Sequence, residues 1–293
     1  MVKYILSHRG RLMYSPLAGL AGSVATFLLL LGLSNVCLAG QDTCSRPIQL
    51  PFASLGYSVI TTGDTITGIY PDIIRSVSSK ETCQFVFSVV PRLRLEVMFE
   101  NGQADVLLPA IKTAKRDENG IFIPLIYTRA TLVSFTSSRP AIKNMQELLE
   151  QRHLRVALVR GYDYGPAYLS MMEELGKQNR LIMEADALSV ARMLKAGAAD
   201  IGIMAPYIFF GTVQNDARVD DMLNKIRYEA IPELSWGESG MYLSKKTLNA
   251  NDRAALQHLL DKVVRSGAVW KGFQHYYKEE VLREGNRPRE LPH

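Results

Sequence analysis

From residue 48 to residue 267 the hydrophobic period of the chain switches repeatedly between strand-like and helix-like, and this restricts the fold more than any other feature. Ile48–Phe52 reads as a strand and Thr62-Gly63-Asp64 as a turn. Asp72 then opens a helix with Ile73, Ile74 and Val77 on one face. Residues 85–90 form the next strand, Leu95, Met98 and Phe99 a helix face stopped at Gly102, and residues 104–108 a buried strand. The second half repeats the order. Asn144 and Glu147 resemble a capping box before Leu148 and Leu149, and residues 154–159 are a strand ending at Gly161. Asp186 caps a helix whose apolar positions Ala187, Val190, Ala191 and Leu194 run to Gly197, and residues 200–204 are again a strand. Leu256, Leu259, Leu260, Val263 and Val264 line a long helix stopped at Gly267. Each half contains Gly-x-x-Asp between helix and strand: Gly102-Gln103-Ala104-Asp105 and Gly197-Ala198-Ala199-Asp200. The expectation is an α/β chain of two related lobes, with residues 131–136 and 239–243 as strand-like crossings.

The N-terminal 39 residues stand apart. Lys3, Arg9 and Arg11 precede an apolar run over residues 17–36, no acid occurs before Asp42, and Cys37-Leu38-Ala39 suits cleavage before Gly40. Residues 1–39 are expected to be a signal peptide directing the chain to the periplasm; an uncleaved membrane anchor is the alternative. Loss of this segment removes three basic residues and lowers the formal charge from +5 to +2. No Lys/Arg cluster then remains to engage nucleic acid. At 293 residues with 22% charged and 47% hydrophobic, the composition excludes disorder and a disulfide-dense miniature scaffold.

Cys37 leaves with the signal, so Cys44 and Cys83 are expected to pair in an oxidising compartment, two free buried thiols being the other reading. His153, His258, His275 and His293 lie too far apart for metal-ligand spacing. Gly237-Glu238-Ser239-Gly240 is one residue short of a serine-hydrolase elbow, and no phosphate loop or nucleotide fingerprint occurs. No metal, cofactor or catalytic residue is expected.

The ordered set Gly102-Gln103-Ala104-Asp105, Lys112-Thr113-Ala114-Lys115-Arg116 and Ile123-Pro124-Leu125-Ile126-Tyr127 resembles the first-lobe signature of the family 3 extracellular solute-binding proteins. Gly68-Ile69-Tyr70-Pro71-Asp72, residues 156–161, residues 197–200 and Ser266-Gly267 with Tyr276-Tyr277 extend the match over residues 46–278. The resemblance implies a type II periplasmic-binding-protein-like fold that closes about two hinges on a ligand in the cleft. Lobe one would span residues 40–135, lobe two 136–237, and residues 238–293 would return to lobe one. It also implies a monomer delivering a small carboxylate-bearing solute, an amino-acid-like one among the alternatives, to an inner-membrane transporter permease or a sensor.

By that resemblance Arg116 pairs with the ligand carboxylate through its guanidinium fork, and Thr113 helps as hydroxyl or backbone contact. Phe52, Tyr57 and Tyr70 are candidates to stack on the ligand, and Arg92 for a second anion contact, with core and surface roles as the alternatives. The loop Gly161-Tyr162-Asp163-Tyr164-Gly165 offers backbone donors ahead of a helix; Asp163 either holds a ligand amine or caps that helix. Trp236 and Glu238 read as hinge packing. Two departures matter. Pro109-Ala110 stands where Ser or Thr is usual, and Ala205 where an acid holds the ligand ammonium, so a carboxylate without the amine, or an aromatic or amide-bearing ligand, fits better. Alternatives are an enzyme on the same scaffold, similar to the cyclohexadienyl dehydratases, with Asp163 and Glu238 as the nameable acids, or a tethered interaction module.

Overall fold

The computed structural model describes residues 43–289; the expected leader and His293 lie outside the described residues. The first stretch runs β1 (Ile48–Phe52), the hairpin β2 (Ile60–Thr62) and β3 (Thr65–Thr67), α1 (Ile69–Val77), β4 (Phe85–Val89), α2 (Arg92–Glu100), β5 (Val106–Ile111), α3 (Ala114–Asn119) and β6 (Gly120–Thr128). A second runs β7 (Thr131–Phe135), α4 (Met145–Glu150), β8 (Val156–Val159), α5 (Pro166–Lys177), β9 (Leu181–Glu184), α6 (Ala187–Lys195), β10 (Ile201–Met204), α7 (Pro206–Gln214) and β11 (Ile226–Glu229). The chain then returns through β12 (Gly237–Ser244), α8 (Ala250–Arg265), α9 (Ala268–Tyr276), α10 (Glu279–Gly285) and β13 (Asn286–Pro288).

These strands make two principal sheets. One has the order β13-β6-β12-β5, and beside β5 lies the parallel pair β1-β4. The other has the order β11-β7-β10-β8-β9, with β10, β8 and β9 parallel and β7 antiparallel to both its neighbours. All four residues of β8 are buried, as expected of a parallel strand covered on both faces. The segments expected to be crossings are themselves paired strands: residues 131–135 belong to the second sheet and residues 239–243 to the first. Thr131 through Ser134 are all buried, which suits a central strand and not a linker. The sheets are joined through residues 129–130 and 230–236.

The repeated Gly-x-x-Asp step has a structural meaning. Gly102 and Gly197 end their helices at φ 72° and 65°, the left-handed backbone that glycine adopts without a Cβ clash. The residue after each closes the turn: Gln103 N–H donates to Met98 O at 2.7 Å and Ala198 N–H to Met193 O at 2.9 Å. The aspartate then clamps an arginine that precedes the neighbouring strand. Asp105 accepts from Arg46 Nη1 at 2.6 Å and Nη2 at 2.8 Å, and from Gln49 N–H at 2.7 Å. Asp200 accepts from Arg155 N–H at 2.8 Å and Nε at 3.1 Å.

Other local expectations are met by the expected atoms. Asn144 Oδ1 accepts from Glu147 N–H at 2.8 Å and Asp186 Oδ1 from Ser189 N–H at 2.7 Å. Cys44 and Cys83 form a disulfide, Cα–Cα 4.8 Å, joining the chain just before β1 to the chain just before β4. Free thiols at these positions are thereby excluded. Helix α1 starts at Ile69, ahead of Asp72, because Asp72 Oδ2 reaches back to Gly68 N–H at 3.1 Å and holds the first turn from within. Trp236 is stacked between Arg129 and Arg287, whose guanidinium carbons lie 4.7 and 3.9 Å from its ring centroid. This stack links both inter-sheet connections to β13.

Candidate functional site

A cavity of about 40 Å³ lies where the C-terminal ends of strands from both sheets meet. The first sheet supplies Leu55 after β1, Arg92 at the start of α2, Pro109, Ala110 and Ile111 at the end of β5, Arg116 on α3, Thr128 and Ser239. The second supplies Tyr162, Asp163 and Tyr164 from the loop after β8, and Tyr207 and Ile208 from the first turn of α7. Such strand ends collect loops and helix starts and are the usual place for ligands in α/β sheets. Arg92 and Tyr162 also face an outer groove of about 320 Å³, so they form a wall between cavity and surface. The connection is narrow here. A Cβ on Gly161 would come within 3.1 Å of Leu93 Cα, which shows how closely the β8–α5 loop meets α2.

Beneath the cavity, two guanidiniums close on one carboxylate. Arg116 is 5% exposed and Glu96 9%. Glu96 Oε2 accepts from Arg116 Nε at 3.1 Å and Oε1 from Arg116 Nη2 at 2.8 Å, a bidentate pair. Arg92 Nη2 donates to the same Oε1, and Arg92 Nη1 donates to Pro109 O at 3.2 Å. Burial alone would raise the Glu96 carboxyl, but Arg92 and Arg116 outweigh it and hold the group below its ordinary value. Glu96 is therefore ionised at neutral pH. Across the cavity, burial pushes the phenols of Tyr162, Tyr164 and Tyr207 upward, and the positive charge of Arg92 opposes that rise in all three.

No protein-family profile matches the chain, and no curated protein matches it in sequence. Solved structures do match. A putative L-cystine ABC transporter protein from Listeria monocytogenes superposes with TM-score 0.63 at 15% identity, covering 80% of this chain and 97% of that one. An ancestral arginine-binding protein bound to arginine gives 0.63 at 12%, over 79% and 98%. A histidine kinase sensor domain with similarity to periplasmic binding proteins gives 0.62 at 16%, over 79% and 96%. This chain has their fold.

Within this fold the expected site residues separate into two groups. Arg92, Arg116, Ala110, Tyr162 and Asp163 line the cavity together. Arg116 faces inward as expected, but its fork is filled by Glu96, so it does not offer that edge to a ligand. Phe52 and Tyr70 are core residues at 0% and 1% exposure; Phe52 packs edge-on to Phe87 and Tyr70 against Phe273. Four of the five β1 residues are buried, and α1 turns Ile69, Tyr70 and Ile74 inward, so both rings are taken up by the core. Tyr57 stacks on Tyr276, centroids 5.2 Å apart, and is likewise outside the lining. Thr113 is the N-cap of α3, accepting from Arg116 N–H at 3.3 Å, and so orients Arg116 from its backbone. Ala205 is buried as the N-cap residue of α7, and Gly161 serves the loop approach to α2. Asp163 Oδ1 accepts from Gly165 N–H at 2.8 Å, a turn one step before the helix start, which Gly165 itself occupies. Glu238 does not line the cavity.

Glu96 and Tyr207 escaped the sequence reading. Glu96 stands one turn beyond Arg92 on a helix, a spacing that usually signals a solvated surface pair. Tyr207 follows Ala205-Pro206 directly after β10, a strand end that carried the available signal.

Proposed function

We propose that this protein is an exported solute-binding protein whose ligand sits in the cavity between the two sheets. The observation that carries this reading is the composition of the walls: guanidiniums from one sheet, tyrosines and Asp163 from the other, at the strand ends of both. A solute held there touches both halves and favours their closure, since a ligand shifts a conformational equilibrium by its differential contacts. Export is supported by the N-terminal sequence pattern and by a disulfide suited to an oxidising compartment. Residues 40–135 with 238–293 and residues 136–237 remain the working lobes, adjusted so that β7 joins the second. The partner in this reading is a membrane transporter or a sensor, and the chain does no chemistry of its own.

The test is a thermal-shift screen of amino acids, their deaminated analogues, aromatic acids and polyamines, followed by calorimetry on each hit. A hit should raise the melting temperature of the wild type, and both Arg92→Gln and Tyr162→Ala should weaken it at least tenfold. Binding that persists undiminished in both variants would place the solute elsewhere and remove this site.

A further inference from the structure

The charges under the cavity do not balance. Arg92 and Arg116 carry two positive charges, Glu96 one negative, and all three residues are at most 9% exposed. Arg116 already holds a carboxylate in the bidentate geometry by which arginine recognises one, and that carboxylate is the protein's own. Arg92 is different: its Nε–H is buried and has no partner among the described residues. A buried donor left unpaired is unfavourable, the more so on a charged group, so this position calls for an acceptor. Arg92 lines the cavity, where that acceptor has access. On the opposite side Asp163 gives one oxygen to Gly165 N–H and forms no ion pair among the described residues.

We propose that Glu96 sets the charge of the ligand: by filling the fork of Arg116 it transfers the anion contact to Arg92 Nε and restricts the cavity to small solutes carrying one carboxylate. The proposal rests on the solute-binding reading above and specifies its ligand class. A second carboxylate would find Arg116 occupied and Asp163 facing it, like charge against like. A solute bearing an ammonium beside its single carboxylate would set the cation toward Asp163.

Calorimetry on the purified protein in a buffer free of carboxylate and phosphate tests this with acetate, glycine, succinate and glutamate as probes. Acetate and glycine distinguish a plain carboxylate from a zwitterion; succinate and glutamate supply the second carboxylate. The wild type should bind acetate or glycine at least tenfold more tightly than either dicarboxylate, and Arg92→Gln should lose that binding at least tenfold. Glu96→Gln should tighten succinate or glutamate at least tenfold by releasing the Arg116 fork. Should Glu96→Gln fail to fold, as judged by circular dichroism, the double variant Glu96→Met/Arg116→Met decides. It removes the internal pair whole and should hold acetate or glycine at least as tightly as the wild type, because Arg92 is then freed from Glu96. A tenfold loss in that variant would make Arg116 a direct ligand contact and overturn the proposal. Wild-type preference for dicarboxylates would overturn it too, while leaving a solute-binding cleft intact. If these probes and the whole solute screen leave the protein unliganded, the solute-binding reading itself falls, and this proposal with it.

Discussion

Replacing Asp105 by Asn should cost about 2 kcal/mol of stability, whereas the same change at Asp200 should cost under about 1 kcal/mol, although the two occupy equivalent steps of the sequence repeat. The difference comes from burial. The Asp105 side chain is 3% exposed and accepts three bonds, two from the Arg46 guanidinium and one from Gln49 N–H. Asp200 is 33% exposed, and its partner Arg155 46%. An amide in place of the Asp105 carboxylate loses one charge-assisted bond, worth about 1.5–3 kcal/mol, and turns an N–H toward Arg46. Because Arg46 is itself 39% exposed, solvent screening keeps the total toward the middle of that range. With a urea m-value of about 3 kcal/mol/M, the midpoint should fall by about 0.7 M for Asp105→Asn and by less than half of that for Asp200→Asn.

The same pair has a pH signature. Burial tends to raise the Asp105 carboxyl, but hydrogen bonds from Arg46 and Gln49 prevail, so its folded value lies below the ordinary one. Its contribution is therefore complete above the ordinary carboxylate range and is lost as pH falls through the folded value. The gap between wild type and Asp105→Asn should narrow progressively under acid. Equal losses at the two positions, or a gap that widens toward low pH, would refute the assignment of Asp105 as a buried clamp.

Two further outcomes are expected. The Cys44–Cys83 bridge closes a loop of sequence separation 39, and the chain-entropy relation assigns such a loop about 4 kcal/mol. Urea unfolding of Cys44→Ala/Cys83→Ala should show a loss of that order, and an unchanged midpoint would remove the bridge from the stability of the fold. Gly161 has φ 84° and lies against Leu93, so Gly161→Val should destabilise the protein by about 1–3 kcal/mol and hold the β8–α5 loop off α2. Small-angle scattering should report a larger radius of gyration for that variant; an unchanged radius would show that the contact does not hold the two halves together.

The architecture was legible because its signals are local. Asn144, Asp186, Gly102, Gly197 and Gly267 act within a few residues of themselves, and the period of the apolar residues does the rest. Pairing of Cys44 with Cys83 followed from their number and the expected compartment. The site was legible only in part. Phe52 and Tyr70 are aromatic residues beside strand and helix ends, and nothing within reach in sequence shows that their rings turn inward. Glu96 looks like half of an ordinary helical ion pair until α3 brings Arg116 against it, a contact across 20 residues of sequence. The segments of crossing character at 131–136 and 239–243 are strand-like because they are strands flanking the connections; the connections themselves, 129–130 and 230–236, carry no periodicity to announce them.

Those two connections are unequal. At one the chain passes between sheets in residues 129–130, with a handful of backbone torsions available, while at the other it takes residues 230–236. A tether that short acts as a pivot, while the longer one is anchored in the second half by the buried Ile231 and Leu234. Any swing of one half against the other must therefore turn about Arg129-Ala130. New termini or an inserted domain would be tolerated only at the exposed Pro232 or Ser235, beside the buried Ile231 and Leu234, and would jam the molecule at 129–130.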